Sequence, residues 1–222
     1  MTTKLRILIS RDHHFFPILE NSGRSDVTIL SRGADIERLE LKEDLILDLT
    51  AWGREKKSDL LERLCESTTK PVISDLSLVW GEAFLKRYSF IAGAVATVFH
   101  SPTATYEAYV RPEHKSLLET AFESFGISMH LVEEVGIGFT FPRISSMVIN
   151  EAYFALEEGL ATTEDIDTAM KFGVNYPLGP LDWAQRTGSQ HIATLLDELY
   201  SVTGDPRYRA CPRLRLEHPT FS

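Results

Sequence analysis

Two cysteines and a short run of arginines are the first groups in this sequence whose chemistry can be weighed by type and spacing. Cys65 and Cys211 lie far apart, without the paired spacing that a zinc site or a disulfide framework uses. Arg207, Arg209, Arg213 and Arg215 form the one local basic cluster, read as a solvated or interface-paired tail rather than a phosphate site. The rest of the chain is acidic: 23 Lys and Arg face 32 Asp and Glu, a formal net charge of −9. Nucleic acid and anionic membrane repel such a surface, so neither is expected as a general partner. No charged-then-apolar leader opens the sequence and no apolar run is long enough to cross a bilayer. The expected location is the cytoplasm.

The elements that must position any site are legible as short runs. A chain of 222 residues can hold two small domains or one large one. Lys4–Ser10, Val27–Leu30, Leu45–Leu49, Pro71–Asp75 and Phe90–Phe99 read as strands, rich in β-branched residues and bounded by turn signals. Ser58–Cys65 has Leu60, Leu61 and Leu64 at helical spacing, and Lys115–Phe125 puts Leu117, Leu118, Ala121 and Phe122 on one side of a helix. Strands alternating with helices predict a doubly wound parallel sheet with right-handed crossovers.

From Gly138 onward the pattern becomes helical. Ile144, Met147, Val148, Ala152, Ala155 and Leu156 share one helix face. Gly159 suits the left-handed position after that helix. Thr162 can cap the next, with Glu164 and Asp165 in its first turn. Gly173 can end that helix, and Pro180 suits the first residue of another. The expected layout is an α/β (Rossmann-like) domain over residues 1–136 and a helical domain over 137–222.

The wording of this second half is specific. NEAYFALEEGLAT, DIDTAMKFGVNYPLGPLDWAQRTG and GDPRYRACPRLR follow one another from Gly138 to Arg215 and resemble the C-terminal domain of the 3-hydroxyacyl-CoA dehydrogenase family. The resemblance implies a dimer made through the helical domain, and an NAD site upstream. It also implies an acyl-CoA surface, part of which the family builds from a helical hairpin after the second strand. Here only Gly33 to Asp44 fill that interval.

A pyrophosphate site at the first strand-to-helix turn needs small residues, for the tight turn and for close approach of backbone N–H groups. Laid over the family pattern, the three glycine positions are Ser10, Asp12 and Phe15. The ribose-binding acid is Ser31, followed by Arg32. Arg32 could favour a 2′-phosphate, and Arg11 or His13 could meet an anion, but NAD held in the family's manner is not expected. No cofactor is expected.

The family's oxidation of a 3-hydroxyl uses a histidine base oriented by a glutamate, with a serine and an asparagine positioning the substrate. Aligned on Pro102, the histidine position is Val98 and the neighbouring asparagine is Ser101. His100 lies two residues on, roughly 7 Å along an extended strand. The glutamate falls near Val110, with Glu107 close but out of register. The serine has a counterpart in Ser77. The asparagine at the entrance to the helical domain is Pro142, although Gly138, Phe139 and Arg143 are kept. His100, Glu107 and Ser77 are therefore the catalytic candidates.

These readings give three expectations. The first is a family member in which NAD-dependent oxidation is weak or lost and an acyl-CoA-like molecule or a partner is bound. The second is an active oxidoreductase of fatty acid metabolism with a rebuilt His100–Glu107 pair. The third is a structural dimerisation subunit, since Phe154, Leu156, Trp183, Leu195, Leu196 and Leu199 exceed what one small helical layer buries easily.

Overall fold

A computed structural model describes residues 4–217 except residue 124. Leu5–Ser10 (β1), Val27–Leu30 (β2), Leu45–Leu49 (β3), Val72–Asp75 (β4), Ile91–Val95 (β5), Thr105–Val110 (β6) and Ser128–Leu131 (β7) form one sheet. Its order is β2-β1-β3-β4-β5-β6-β7. The first five strands are parallel, with Leu5 opposite Leu45 and Ile46 opposite Val72. Helices cover both faces, which is why β1 and β3 read as apolar runs rather than alternating ones.

One face carries Phe16–Asn21 (α1) and, later in the chain, a longer helix over Lys115–Glu123. Phe16, Leu19, Leu118 and Phe122 from these helices pack on Ile7, Ile9, Leu47 and Val95. The other face carries Arg54–Ser67 (α2) and Gly81–Arg87 (α3). Their Leu60, Leu61, Leu64 and Phe84 meet Leu8, Ile46, Val72 and Ile91. With the Lys115–Glu123 helix as α4, this is the doubly wound arrangement that the periodicity predicts.

Two strands go beyond that prediction. β6 runs antiparallel to β5, with Gly93 opposite Val110, and β7 pairs parallel with β6. The link from Val95 to Thr105 is too short for the helical crossover that a parallel pair requires. β5 also ends at Val95 rather than at Phe99. Ala96 N–H still reaches Glu107 O, but Thr97 N–H turns away to the Asp75 carboxylate, and the ladder stops. α2 is longer than its leucine pattern, because its first and last turns are polar and exposed. Between β2 and β3 a 3-10 turn over Gly33–Arg38 packs against α2. A Cβ on Gly33 would lie 2.1 Å from Asp59 Oδ2, so the approach requires glycine.

The helical half contains Thr140–Glu157 (α5), Thr163–Thr168 (α6), a π-helical turn Ala169–Gly173, Pro180–Thr187 (α7), Ser189–Thr203 (α8) and Pro212–Leu216 (α9). Its predicted stops and starts are observed. Gly159 has φ +68°, Thr162 Oγ1 accepts from Asp165 N–H, and Pro180 opens α7. α5 starts earlier than its apolar face, with Pro142 in the first turn, where its missing N–H leaves no bond unmade.

The apolar residues that suggested spare surface are used inside the chain. Leu195, Leu196 and Leu199 are wholly buried and Trp183 nearly so, in one cluster with Ala51, Leu78, Val98 and Phe99 from the ends of the sheet strands. The excess was apparent only because a helical layer was considered without the sheet beneath it. Gly138 (φ +73°) lets the chain enter this packing. A Cβ there would stand 2.4 Å from Leu195 Cδ1. Among the described residues, no helix is long and apolar enough to cross a membrane.

Candidate functional site

In a doubly wound sheet the crevice at the carboxyl ends of the strands is where ligands bind. Here three backbone N–H groups of the turn after β1 are taken up within it. His13 N–H donates to Ser10 O (3.2 Å), Phe16 N–H to His13 O (2.8 Å), and Phe15 N–H to His13 Nδ1 (3.0 Å). Ser10 Oγ accepts from Ala51 N–H at 2.8 Å. His13 and Phe15 are buried. From above, α8 brings His191, whose Nε2 donates to Asp12 O at 2.9 Å.

A dinucleotide pyrophosphate needs open N–H groups and room for close approach at this turn. Committed donors, two buried rings and an overlying helix do not fit it. At the end of β2, Asp35 accepts from both Ser31 and Arg32 N–H, and Arg32 Nε turns back to the same carboxylate. Arg11 lies over the Phe16 ring instead of facing the turn.

Beneath the turn lies a buried polar network. Lys57 is wholly buried, its Nζ donating to Asp48 Oδ2 (2.8 Å), Thr50 O (2.9 Å) and Thr50 Oγ1 (2.7 Å). Ser74 Oγ donates to the same Asp48 oxygen at 2.6 Å. Asp75 is the second carboxylate. Its Oδ2 accepts from Thr97 N–H (2.7 Å) and Thr97 Oγ1 (2.6 Å), and its Oδ1 from Ser77 N–H (2.8 Å). Burial pushes the Asp75 carboxyl above its ordinary range, against the pull of Lys57 and these hydrogen bonds.

Because His13 Nδ1 accepts, its Nε2 carries the proton and donates to Thr97 Oγ1 (3.2 Å), which itself donates to Asp75. Burial holds the His13 pKa well below the ordinary histidine value. His14 Nε2 donates to Thr97 O at 2.6 Å, and burial lowers its pKa to about 4. Sequence reasoning missed Asp48, Lys57, Asp75 and Thr97. An acid inside the apolar run LILDL, and another closing PVISD, were the available signals.

The three candidates fall in different places. Ser77 is fully buried, with Oγ 2.5 Å from Asp75 Oδ1, so its hydroxyl serves the network. Glu107, on β6, accepts through Oε2 from Thr140 N–H (3.0 Å) and Phe141 N–H (2.8 Å), capping α5. Across the ladder from it stands Ala96, which offers no imidazole. His100 is held by its backbone: its N–H donates to Thr187 Oγ1 and its carbonyl accepts from Trp183 Nε1 at 2.8 Å. Its ring lies edge-on to His14, with centroids 5.7 Å apart, and burial lowers its pKa. No hydrogen bond joins His100 to Glu107, and the two line different cavities.

Those cavities flank the 101–106 loop. One, about 570 Å³, lies between the β6–β7 edge and the helical half; Glu107, His130, Phe141, Ile144, Val148 and Trp183 are on its walls. The other, about 590 Å³, lies between α1 and the start of β7 and includes His100. Both have the size of small-molecule sites. No group of three or more His, Cys, Asp or Glu suited to a metal occurs among the described residues. Cys65 and Cys211 are both free thiols.

Comparison with known proteins gives this architecture its relatives. Residues 138–217 match the family described as "3-hydroxyacyl-CoA dehydrogenase, C-terminal domain". The chain is 52% identical over 73 residues to a 3-hydroxyadipyl-CoA dehydrogenase of Escherichia coli K12, covering 33% of this chain and 15% of that protein. It is 28% identical over 180 residues to a 3-hydroxybutyryl-CoA dehydrogenase of Bradyrhizobium diazoefficiens, covering 77% of this chain and 61% of that protein. These matches therefore span less than two thirds of either relative. The crystal structure of an (S)-3-hydroxybutyryl-CoA dehydrogenase from Ralstonia eutropha superposes with a TM-score of 0.64 over 96% of this chain and 93% of that one. At 18% identity, that similarity is one of fold. Residues 138–217 therefore belong to the 3-hydroxyacyl-CoA dehydrogenase C-terminal domain family, and the chain as a whole shares the fold of the Ralstonia enzyme.

Proposed function

We propose that this protein binds an acyl-CoA-like molecule without NAD-dependent oxidation of a 3-hydroxyl. The reading rests on the turn after β1, where the His13, Phe15 and Phe16 N–H groups are committed within the turn and His191 closes on Asp12 O. Two further observations point the same way. Val98 and Pro142 stand where the family places its histidine and its entrance asparagine. Glu107 spends one carboxylate oxygen on the first N–H groups of α5.

The acyl portion is assigned to the cleft between β6–β7 and the helical half, where Phe141, Ile144 and Val148 offer apolar contact. Burial of each methylene there contributes about 0.8 kcal/mol. The test is a thermal-shift and calorimetric titration with NADH, NADPH, CoA and acetoacetyl-CoA. A specific ligand at 100 times its dissociation constant adds about 2.7 kcal/mol of apparent stability. Acetoacetyl-CoA is expected to stabilise the protein and NADH is not. Reduction of acetoacetyl-CoA by NADH, abolished by His100→Ala, would overturn the reading.

A second reading has its own observation. Ile144, Leu160, Phe172 and Val174 of the helical half are exposed, Phe172 to 81%. Large apolar groups left in water favour association, so a homodimer through this half is the assembly we propose.

A further inference from the structure

The cavity beside α1 has no part in the reading above, and its walls have a composition of their own. Phe15, Ile18, Leu19, Tyr106, Phe125 and Ile127 supply apolar surface. Among the described residues, the charged groups lining it are Arg24 and Arg186. Each guanidinium is steadied from outside the cavity. Asp26 accepts from Arg24 Nε (3.0 Å) and Nη2 (2.7 Å), and Asp182 accepts from Arg186 Nε (3.0 Å) and Nη2 (3.3 Å). A guanidinium has five N–H groups, so each such fork leaves three free to donate. Arg24 also lies over the Phe125 ring, 5.2 Å from its centroid, which fixes a cation beside an apolar wall.

The imidazoles add polarity without charge. His14 has its tautomer set by the bond from Nε2 to Thr97 O, leaving Nδ1 as an acceptor. The His100 ring makes no hydrogen bond among the described residues, while its backbone is tied at both N–H and C=O. Burial keeps both rings neutral near pH 7. Among the described residues, the cations facing the cavity are thus the two arginines, each with N–H groups beyond those given to its aspartate.

We propose that this cavity is a second small-molecule site, taking a carboxylate with an apolar body of medium chain length. The carboxylate would meet both Arg186 and Arg24 through the N–H groups that their aspartate partners leave free. The body would lie against Ile18, Phe15 and Phe125. The cavity volume, about 590 Å³, suits such a molecule. The site is separate from the cleft assigned to an acyl-CoA-like ligand and does not depend on that assignment.

The experiment is isothermal titration of the purified protein with sodium octanoate, and with octylamine as the molecule of opposite charge. Four variants, each checked by circular dichroism, are compared: Arg186→Gln, Arg24→Gln, Ile18→Trp in this cavity, and Val148→Trp in the other cleft. Octanoate is expected to bind once per chain. Each loss of a guanidinium should weaken binding about tenfold. Ile18→Trp should abolish it, Val148→Trp should leave it unchanged, and octylamine should show no saturable binding. Ile18 and Arg186 are largely or half exposed, so these variants are expected to fold. The proposal is overturned if octanoate does not saturate, if octylamine binds as well, or if only Val148→Trp removes binding. None of these outcomes bears on the acetoacetyl-CoA titration, which tests the other cleft.

Discussion

His191 and Asp12 are 179 positions apart, and the imidazole Nε2 of one lies 2.9 Å from the backbone oxygen of the other. This contact brings α8 of the helical half onto the turn where the family fold would receive a dinucleotide. Arg54 and the backbone N–H of Trp80 reinforce it by meeting Glu198, about two turns further along α8. Removing the imidazole by His191→Ala takes this donor from the carbonyl of Asp12, an exposed residue. The expected cost is about 0.5–1.5 kcal/mol, read as a lower urea midpoint. NADH binding should not appear in this variant, because the His13 and Phe15 side chains still occupy the turn.

Lys57 and Asp48 form a wholly buried ion pair, and their energetics are asymmetric. Lys57→Met strands the Asp48 carboxylate, with an expected loss of about 3–5 kcal/mol. Replacing both by apolar residues, as in Asp48→Leu with Lys57→Met, should restore a large part of that loss. Chemical denaturation of the single and double variants measures the difference, and equal destabilisation in both would contradict this account of the pair.

What could be read from the sequence follows from which interactions are local. The strands β1 to β4 were legible because each is an apolar run bounded by turn residues, and the caps at Thr162 and Pro180 because capping is decided within one turn. β6 was missed because TYEAYV has ordinary polarity on an edge region, and β7 because SMHL is short. The site was harder. Ser10, Asp12 and Phe15 announced that a dinucleotide would be crowded, but the residue that closes the turn, His191, lies in the last helix pair, where nothing local marks it. Glu107 could be named as an acid near the right place. That it caps α5 is visible only once β6 is laid beside Thr140.

The role of Glu107 separates from a catalytic one by its stability signature. Glu107→Ala leaves Thr140 and Phe141 N–H without their acceptor at the start of an 18-residue helix. Loss of such a cap costs about 0.5–2 kcal/mol. Glu107→Gln keeps an oxygen acceptor and should cost less. A urea series of the two variants reads the order. If both leave stability unchanged, the capping role is wrong.

The apolar groups left exposed on the helical half predict concentration-dependent association. Phe172→Lys, at a position 81% exposed, should leave the fold intact and shift sedimentation toward monomer. A wild-type protein that sediments as a monomer at high micromolar concentration would remove the proposed dimer.

Acid stability follows from the two adjacent histidines, with a carboxylate working against them. Burial lowers the folded-state pKa of His14 to about 4 and holds that of His13 well below the ordinary value of 6.5. Between those values the unfolded chain binds protons that the folded chain does not. Stability contributed by these neutral rings is therefore fully present above about pH 6.5 and is lost as pH falls through the folded-state pKa. For His14 alone the loss is about 3 kcal/mol by pH 4. Asp75 has the opposite sign, since burial raises its carboxyl and acidification relieves a buried charge. The observed slope is the histidine contribution less that of Asp75. His14→Gln removes one titrating ring while keeping a donor that can reach Thr97 O. Its stability between pH 6.5 and 4 should fall less steeply than that of the wild type, as measured by urea midpoints across the range. Parallel curves for the two proteins would show that His14 does not stay neutral in the folded state.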